Sequence, residues 1–393
     1  MRVIVYTGKG GVGKTSLAAA TALGAAARGH RTLVVSTDSA HSLGDSLGVA
    51  LGPDPTEVAP RVSALEIDVL TELERNWKAV HDYLLRLLAS QGVEEITAQE
   101  VVILPGMELI AALLRLDAVD REGRYDVAIL DTAPTAETLR LLSFPDAIEW
   151  YFNRVLRMHR RVARVVRTTV GRAMKTPIPT EGFFDTLEEL HERFRRVRTL
   201  LTDPKRSTVR LVVNPERMVI AETQRAYTYL CLFGLTVEML VVNRVMPKEA
   251  TSGYFAPWRS EQEQNLGTLE ELFGALTQVP VPRYPREVIG SAALERLGQD
   301  VFGQKDPAAI WPTSPPVRFR MRGSAPTIEL TLPLAEPGSV QLSQRGDTLY
   351  LTVGAFRRSI ALPVAYTRSS VERAFFEKGT LVIRFREGDG QAA

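Results

Sequence analysis

RVIVYTGKGGVGKTS, residues 2–16, decides how the rest of the chain is read. Its first six residues, apolar and β-branched, predict a strand over 2–7 that is buried on both faces. GKGGVGKT at 8–15 then fits the spacing G-x-x-x-x-G-K-[ST] and leads into SLAAATALGAAARG, a helical pattern. Strand, glycine loop and helix in that order are the context in which this spacing binds phosphate. Glycines let backbone N–H groups curl around an anion without Cβ clashes. The helix N-terminus adds its positive end. The stretch therefore predicts a nucleotide site built from Gly10, Gly11, Val12, Gly13, Lys14, Thr15 and Ser16. Lys14 is expected to reach the β- and γ-phosphates, and the Thr15 hydroxyl to ligate Mg²⁺.

Working outward, similar apolar runs recur as RTLVVST at 31–37, SALEID at 63–68, YDVAILD at 125–131, VRLVVN at 209–214 and EMLVVN at 238–243. Helical segments separate them. Alternating β and α over about 300 residues predicts an α/β fold, a mostly parallel sheet between helix layers, over 1–305. Ligands of such sheets sit at the carboxyl ends of the strands. The character changes at DPAAIWPTSPP, residues 306–316, with four prolines in eleven residues, which reads as a linker. VRFRMRG, TIELTLP, SVQLSQRGDTLYLTVG, FRRSIALP and GTLVIRF follow. They alternate apolar and polar residues, so 317–387 is expected to be a small antiparallel β domain with one wet face. The tail 388–393, GDGQAA, is expected to be disordered.

Bulk composition narrows the function classes. A net charge of +2 argues against a polyanion binder, and nucleic acid is disfavoured as a partner. There is one cysteine, Cys231, in the apolar setting TYLCLFG. It cannot form an internal disulfide, a C-x-x-C metal pair or an iron–sulfur ligand set, and is expected to be a buried, inert thiol. A reducing compartment follows. With no secretory leader and no long apolar span, the expected location is the cytoplasm.

Lys9 places a second lysine inside the loop, and K-G-G-x-G-K-[ST] resembles the deviant Walker A group of ATPases. In that group the early lysine reaches a partner subunit's nucleotide, acting in trans like an arginine finger. The resemblance thus implies a homodimer that closes around ATP, with Lys9 catalytic. STDSAHSLGDSLG at 36–48 and DTAPTAETLRLLSFP at 131–145 resemble the two switch segments of the ArsA and tail-anchored-protein targeting family. PGMEL at 105–109, NPERMVIAETQRA at 214–226, VVNRV at 241–245 and PREVIG at 285–290 match further segments of that family over about 300 residues.

By that resemblance Asp38 orients or deprotonates the attacking water, and Asp131 stands in the Mg²⁺ shell through water. Asn243 and Glu216 contact the nucleoside, and Pro282 and Arg283 cover the base. The guanine signature [NT]-K-x-D is absent from the VVNRV region, which favours ATP over GTP. Ser39 and Ser42 stand where the family has proline and asparagine, and Ala136 and Glu137 stand where it has Gly-His. These departures bear on how nucleotide state is relayed, not on whether ATP binds.

The span 146–205 falls where the family carries its helical client-binding insertion. Within it, residues 150–175 hold eight Arg or Lys and no acid, with Val155, Met158, Val162, Val165 and Val166 on one helical arc. Two readings stand. One is a wall of an apolar client groove, with a basic face towards a membrane surface. The other is an ordinary packing helix with a solvated basic face. QRGDTLYLTVGAFRRSIALP at 344–363 and FFEKGTLVIRF at 375–385 resemble the α-crystallin domain of small heat-shock proteins. That implies handling of exposed apolar segments or self-assembly through sheet edges. The plainer reading is a small β module that only decorates or stabilises the dimer.

The expected function is an ATP-hydrolysing chaperone or targeting factor for an apolar client such as a transmembrane helix. One alternative is the energising ATPase of an arsenite-type transport system, which calls for thiolates that a single cysteine cannot supply. The other is a partitioning-type ATPase, which calls for a DNA module or amphipathic tail where this chain has a β domain.

Overall fold

In a computed structural model, the structure describes residues 1–37, 42–72, 75–76, 82, 85, 107–132, 181–247, 253–323, 325–363, 366 and 369–387. The basic segment 150–175, Asp38, Ser39, Ala136 and Glu137 lie outside the described residues.

The first apolar run is β1, Arg2–Thr7, and the loop after it opens α1, Lys14–Ala27. Then come β2 (Thr32–Ser36), α2 (Ser42–Leu47), β3 (Thr56–Ala59), β4 (Val62–Glu66), α3 (Met107–Glu122) and β5 (Val127–Asp131). The α/β half continues through α4 (Glu181–Thr202), β6 (Ser207–Val213), α5 (Arg217–Leu232), β7 (Val237–Val245), α6 (Ala256–Phe273), β8 (Thr277–Pro282) and α7 (Ser291–Phe302). Eight strands form one sheet in the order β3-β4-β2-β5-β1-β6-β7-β8. All neighbours are parallel except β3 against β4. β2, β5 and β6 are buried at every position, as strands covered by helices on both faces must be.

The expected α/β fold is what forms. Two strands of this sheet escaped the sequence reading: β3, a polar edge strand, and β8, whose TQVPVP carries two prolines and, among the described residues, pairs with β7 alone. Beside the sheet, α3 and α4 pack through Ile110, Leu114, Leu190 and Phe194. Asp117 of α3 ties them by accepting from Arg193 at 3.2 Å and from Arg196 at 2.8 Å.

The C-terminal domain comprises β9 (Val317–Arg322), β10 (Ala325–Thr331), β11 (Val340–Arg345), β12 (Thr348–Val353), β13 (Phe356–Ala361), β14 (Ser369–Glu377) and β15 (Thr380–Glu387). They make an antiparallel four-stranded sheet, β14-β15-β10-β9, and a three-stranded one, β11-β12-β13. Its core holds Ile328, Leu330, Leu349, Leu351, Leu381, Ile383 and Phe385. Leu232, the last residue of α5, belongs to the same core. Around that helix end Tyr229 stacks on Phe356 at 4.3 Å, Phe233 meets Phe356 at 5.9 Å, and Arg358 donates to the Leu232 carbonyl. The β domain is thus built onto the C-terminal end of α5.

The proline-rich span 306–316 is a strap with buried contacts. Ala308 and Trp311 pack into the main core. Beneath them, Glu238 of β7 is fully buried and accepts from Arg210 Nε (2.8 Å), Arg2 Nη2 (3.1 Å) and the Trp311 amide (3.0 Å). Arg210, also fully buried, reaches on to the Pro307 carbonyl at 2.7 Å. Burial pushes the Arg2 guanidinium down to about 10 although Glu238 pulls it up, so it remains a cation at neutral pH.

Candidate nucleotide site

The site forms where β1, β2, β5, β6 and β7 end. Gly13 is the N-cap of α1 in the left-handed region, φ 99° and ψ 25°. No side chain caps this end, so its amides are available to an anion. A Cβ at Gly13 would collide with Asn243 Nδ2. Gly11, at φ +77°, has open space where a Cβ would stand, as a cradle for a bulky anion requires. Val12 is buried and anchors the loop to the core, while Gly10 and Gly11 are exposed. Lys14 is largely buried, and its ammonium donates to the Lys9 carbonyl at 3.1 Å. This donor set suits a polyphosphate: a glycine-rich turn, an uncapped helix start and a lysine aimed back across the loop.

The Thr15 hydroxyl lies 3.2 Å from the Ser42 hydroxyl at the start of α2. The serine that replaces the family's asparagine therefore packs beside the expected Mg²⁺ ligand. Asp131 ends β5 in register with Tyr6 of β1 and Ser36 of β2. It is buried, and one carboxylate oxygen accepts from Ser36 Oγ at 3.4 Å. The Asp131 carbonyl accepts from the Thr37 amide at 3.0 Å, so the segment leading to Asp38 leaves the sheet beside Asp131. Thr15, Ser42 and Asp131 offer a hard, oxygen-only set, which fits Mg²⁺.

On the other flank, Asn243 Nδ2 donates to the Val12 carbonyl at 2.7 Å, and its Oδ1 accepts from the Arg244 amide at 2.9 Å. The residue expected to read the base is also a clamp on the phosphate loop. Its second Nδ2–H is left for a ligand. Glu216 is exposed at the N-cap of α5, and its side chain caps nothing. Pro282 and Arg283 are exposed at the end of β8, where the Arg283 amide donates to the Val245 carbonyl at 2.8 Å. Both lie at the carboxyl edge of the sheet beside β7. Lys9 Nζ points to Glu222 Oε2 of α5 at 3.8 Å.

Two residues went unread in the sequence. Glu222 lies inside NPERMVIAETQRA, but the resemblance gave it no role. Asn214, at the end of β6, is 5% exposed, and its Oδ1 has no hydrogen-bond partner among the described residues. Its signal was position: an amide closing a buried strand, two residues before Glu216.

Gly13→Ala should weaken ATP binding at least about tenfold. The left-handed conformation alone costs a Cβ about 1–2 kcal/mol, and the collision with Asn243 adds to it. A fluorescence titration with labelled ATP measures this, and an unchanged dissociation constant would remove the tight Gly13–Asn243 approach from the account.

Comparison with known proteins agrees with this geometry. Residues 1–303 match the family described as anion-transporting ATPase, and residues 325–385 match the HSP20-like domain found in ArsA. A putative arsenical pump-driving ATPase of Chlorobaculum tepidum is 39% identical over 388 residues, 98% of this chain and 96% of that protein. ATPase GET3B of Arabidopsis thaliana is 31% identical over 322 residues, 75% of this chain and 77% of its own. ATPase ASNA1 homolog 1 of Paramecium tetraurelia is 27% identical over 303 residues, 76% of this chain and 91% of its own. The parallel-sheet half with its phosphate loop and the β domain that follows it thus correspond to the two matched regions, and the chain belongs to the ArsA family of ATPases.

Proposed function

We propose that this ATPase is a homodimeric chaperone or targeting factor, which shelters an apolar client such as a transmembrane helix and releases it on hydrolysis. The observation that carries the choice is Cys231. It is the one cysteine of the sequence, it is buried, and burial pushes its thiol far above the usual range. A soft metalloid is held by several thiolates. A single protonated thiol inside the core cannot supply them, although relatives carry the arsenical-pump name. Among the described residues no helix is long and apolar enough to cross a membrane. The lone thiol also suits a reducing, cytoplasmic setting.

In this reading Gly10 to Ser16 hold the phosphates, and Lys14 neutralises the β/γ oxygens. Asn243, Glu216, Pro282 and Arg283 hold the nucleoside. Asp38 takes the proton side of the attacking water, and Lys9 stabilises charge on the partner subunit's nucleotide. Mg²⁺, when bound, would be held by Thr15 and Asp131 and would offset the charge that builds on the phosphate oxygens. The β domain contributes an apolar edge: on β9, Phe319 (42% exposed) and Met321 (59%) face outward, while Arg318, Arg320 and Arg322 alternate to the other face and pair with Glu329. An exposed apolar pair on an edge strand suits an apolar segment.

The test is binding of a fluorescent peptide containing a 20-residue apolar helix, with and without ATP. ATP should tighten binding and hydrolysis should release the peptide. A chain that ignores the peptide but hydrolyses faster with antimonite would overturn the reading in favour of the transport energiser.

A further inference from the structure

Lys9 is held at two points. Its carbonyl accepts from Lys14 Nζ at 3.1 Å, and its ammonium lies 3.8 Å from Glu222 Oε2. The two side chains of that ion pair are each about one-third exposed, 36% and 31%. Both holds act within one subunit, and both involve groups that a triphosphate would redirect. Phosphate in the cradle draws the Lys14 ammonium away from the Lys9 carbonyl. A second subunit's triphosphate competes with Glu222 for the Lys9 ammonium. Its several negative charges outweigh one carboxylate.

We propose that Glu222 is a positioning residue that parks the Lys9 ammonium on its own subunit until the cradle is filled. This rests on the homodimer reading above. The strength of the pair fits the task. A partly exposed ion pair is weak, so it biases the lysine without locking it. A buried pair would be too costly to break once formed, and a neutral partner would give no bias. The same helix carries Glu216 at its start and Glu222 one and a half turns on, so the nucleoside contact and the parking carboxylate move together.

The test reads the association midpoint of the full chain with ATPγS by sedimentation equilibrium. Glu222→Gln should lower that midpoint about two- to fivefold in dilute buffer, the range of an exposed ion pair. The gap from the parent chain should close near about 0.5 M salt, where screening is short-ranged. Glu222→Asp, which keeps the charge, should return the midpoint towards the parent value. In a Lys9→Ala chain, Glu222→Gln should have no effect. A midpoint that Glu222→Gln leaves in place, while Lys9→Ala weakens association, overturns the parking role. A shift of the same size in the Lys9→Ala chain overturns it too, since the effect would then come from packing of α5. Association indifferent to Lys9→Ala defeats the dimer reading beneath it, and the proposal with it.

Discussion

Replacing Glu238 with alanine should destabilise the protein by about 3–5 kcal/mol, the usual cost of removing one partner from a buried ion pair. Glu238 is fully buried and receives Arg210, Arg2 and the Trp311 amide. Without it two guanidinium groups stay inside with no carboxylate between them. Arginine does not deprotonate to escape at neutral pH. Urea unfolding followed by intrinsic fluorescence measures the loss, read on the transition of the ATPase half. The Arg210→Met, Glu238→Met double variant should be more stable than either single one, because it removes both charges and fills the volume. A Glu238→Ala loss below about 1 kcal/mol would mean that water or the strap carbonyls solvate these arginines well.

The second large effect is chemical. Asp38→Asn should leave ATP binding intact and cut single-turnover hydrolysis by about 10²–10⁴-fold, the range of a positioned general base. Asp38 itself lies outside the described residues, but its attachment is visible. Ser36 pairs with Asp131 across β2 and β5, and the Thr37 amide donates to the Asp131 carbonyl. The chain therefore enters the Asp38 segment beside the buried Asp131. Rapid-quench measurement of phosphate release separates chemistry from product release. Unchanged turnover would remove Asp38 as the water-positioning group.

The parts of this molecule legible in its sequence share a physical cause. β1, β2, β5, β6 and β7 are buried on both faces, so their residues are apolar without alternation, and runs such as RVIVYT stand out. The phosphate loop was legible because its glycine spacing answers to a local backbone shape. Asn243 was singled out through its motif, but not as a clamp. Its bond to the Val12 carbonyl spans 231 residues, and no local pattern encodes that distance. β8 was hidden because an edge strand with prolines has little burial to display. The Arg210–Glu238 pair left a signal that went unread: an arginine inside VRLVV and a glutamate inside VEMLVV, opposite charges on two buried runs. The composition of 306–316 spoke only of prolines, whereas the strap is anchored by Trp311 and Ala308 in the core and by backbone groups whose partners lie far off in the sequence.

That anchoring bears on how the chain can fold as it is made. Arg2 is synthesised long before its partners, in a strand that ends up between β5 and β6. Its carboxylate, Glu238, comes more than 230 residues later, and the Ala308 carbonyl it also meets comes later still. The central strand must therefore wait, its charged end solvated, for most of the ATPase half to be synthesised. Such long-range closure is slow and leaves apolar strands unpaired meanwhile. The strap is the last of these partners to be made, so burial of the Arg2 end of β1 completes only as the β domain begins to emerge.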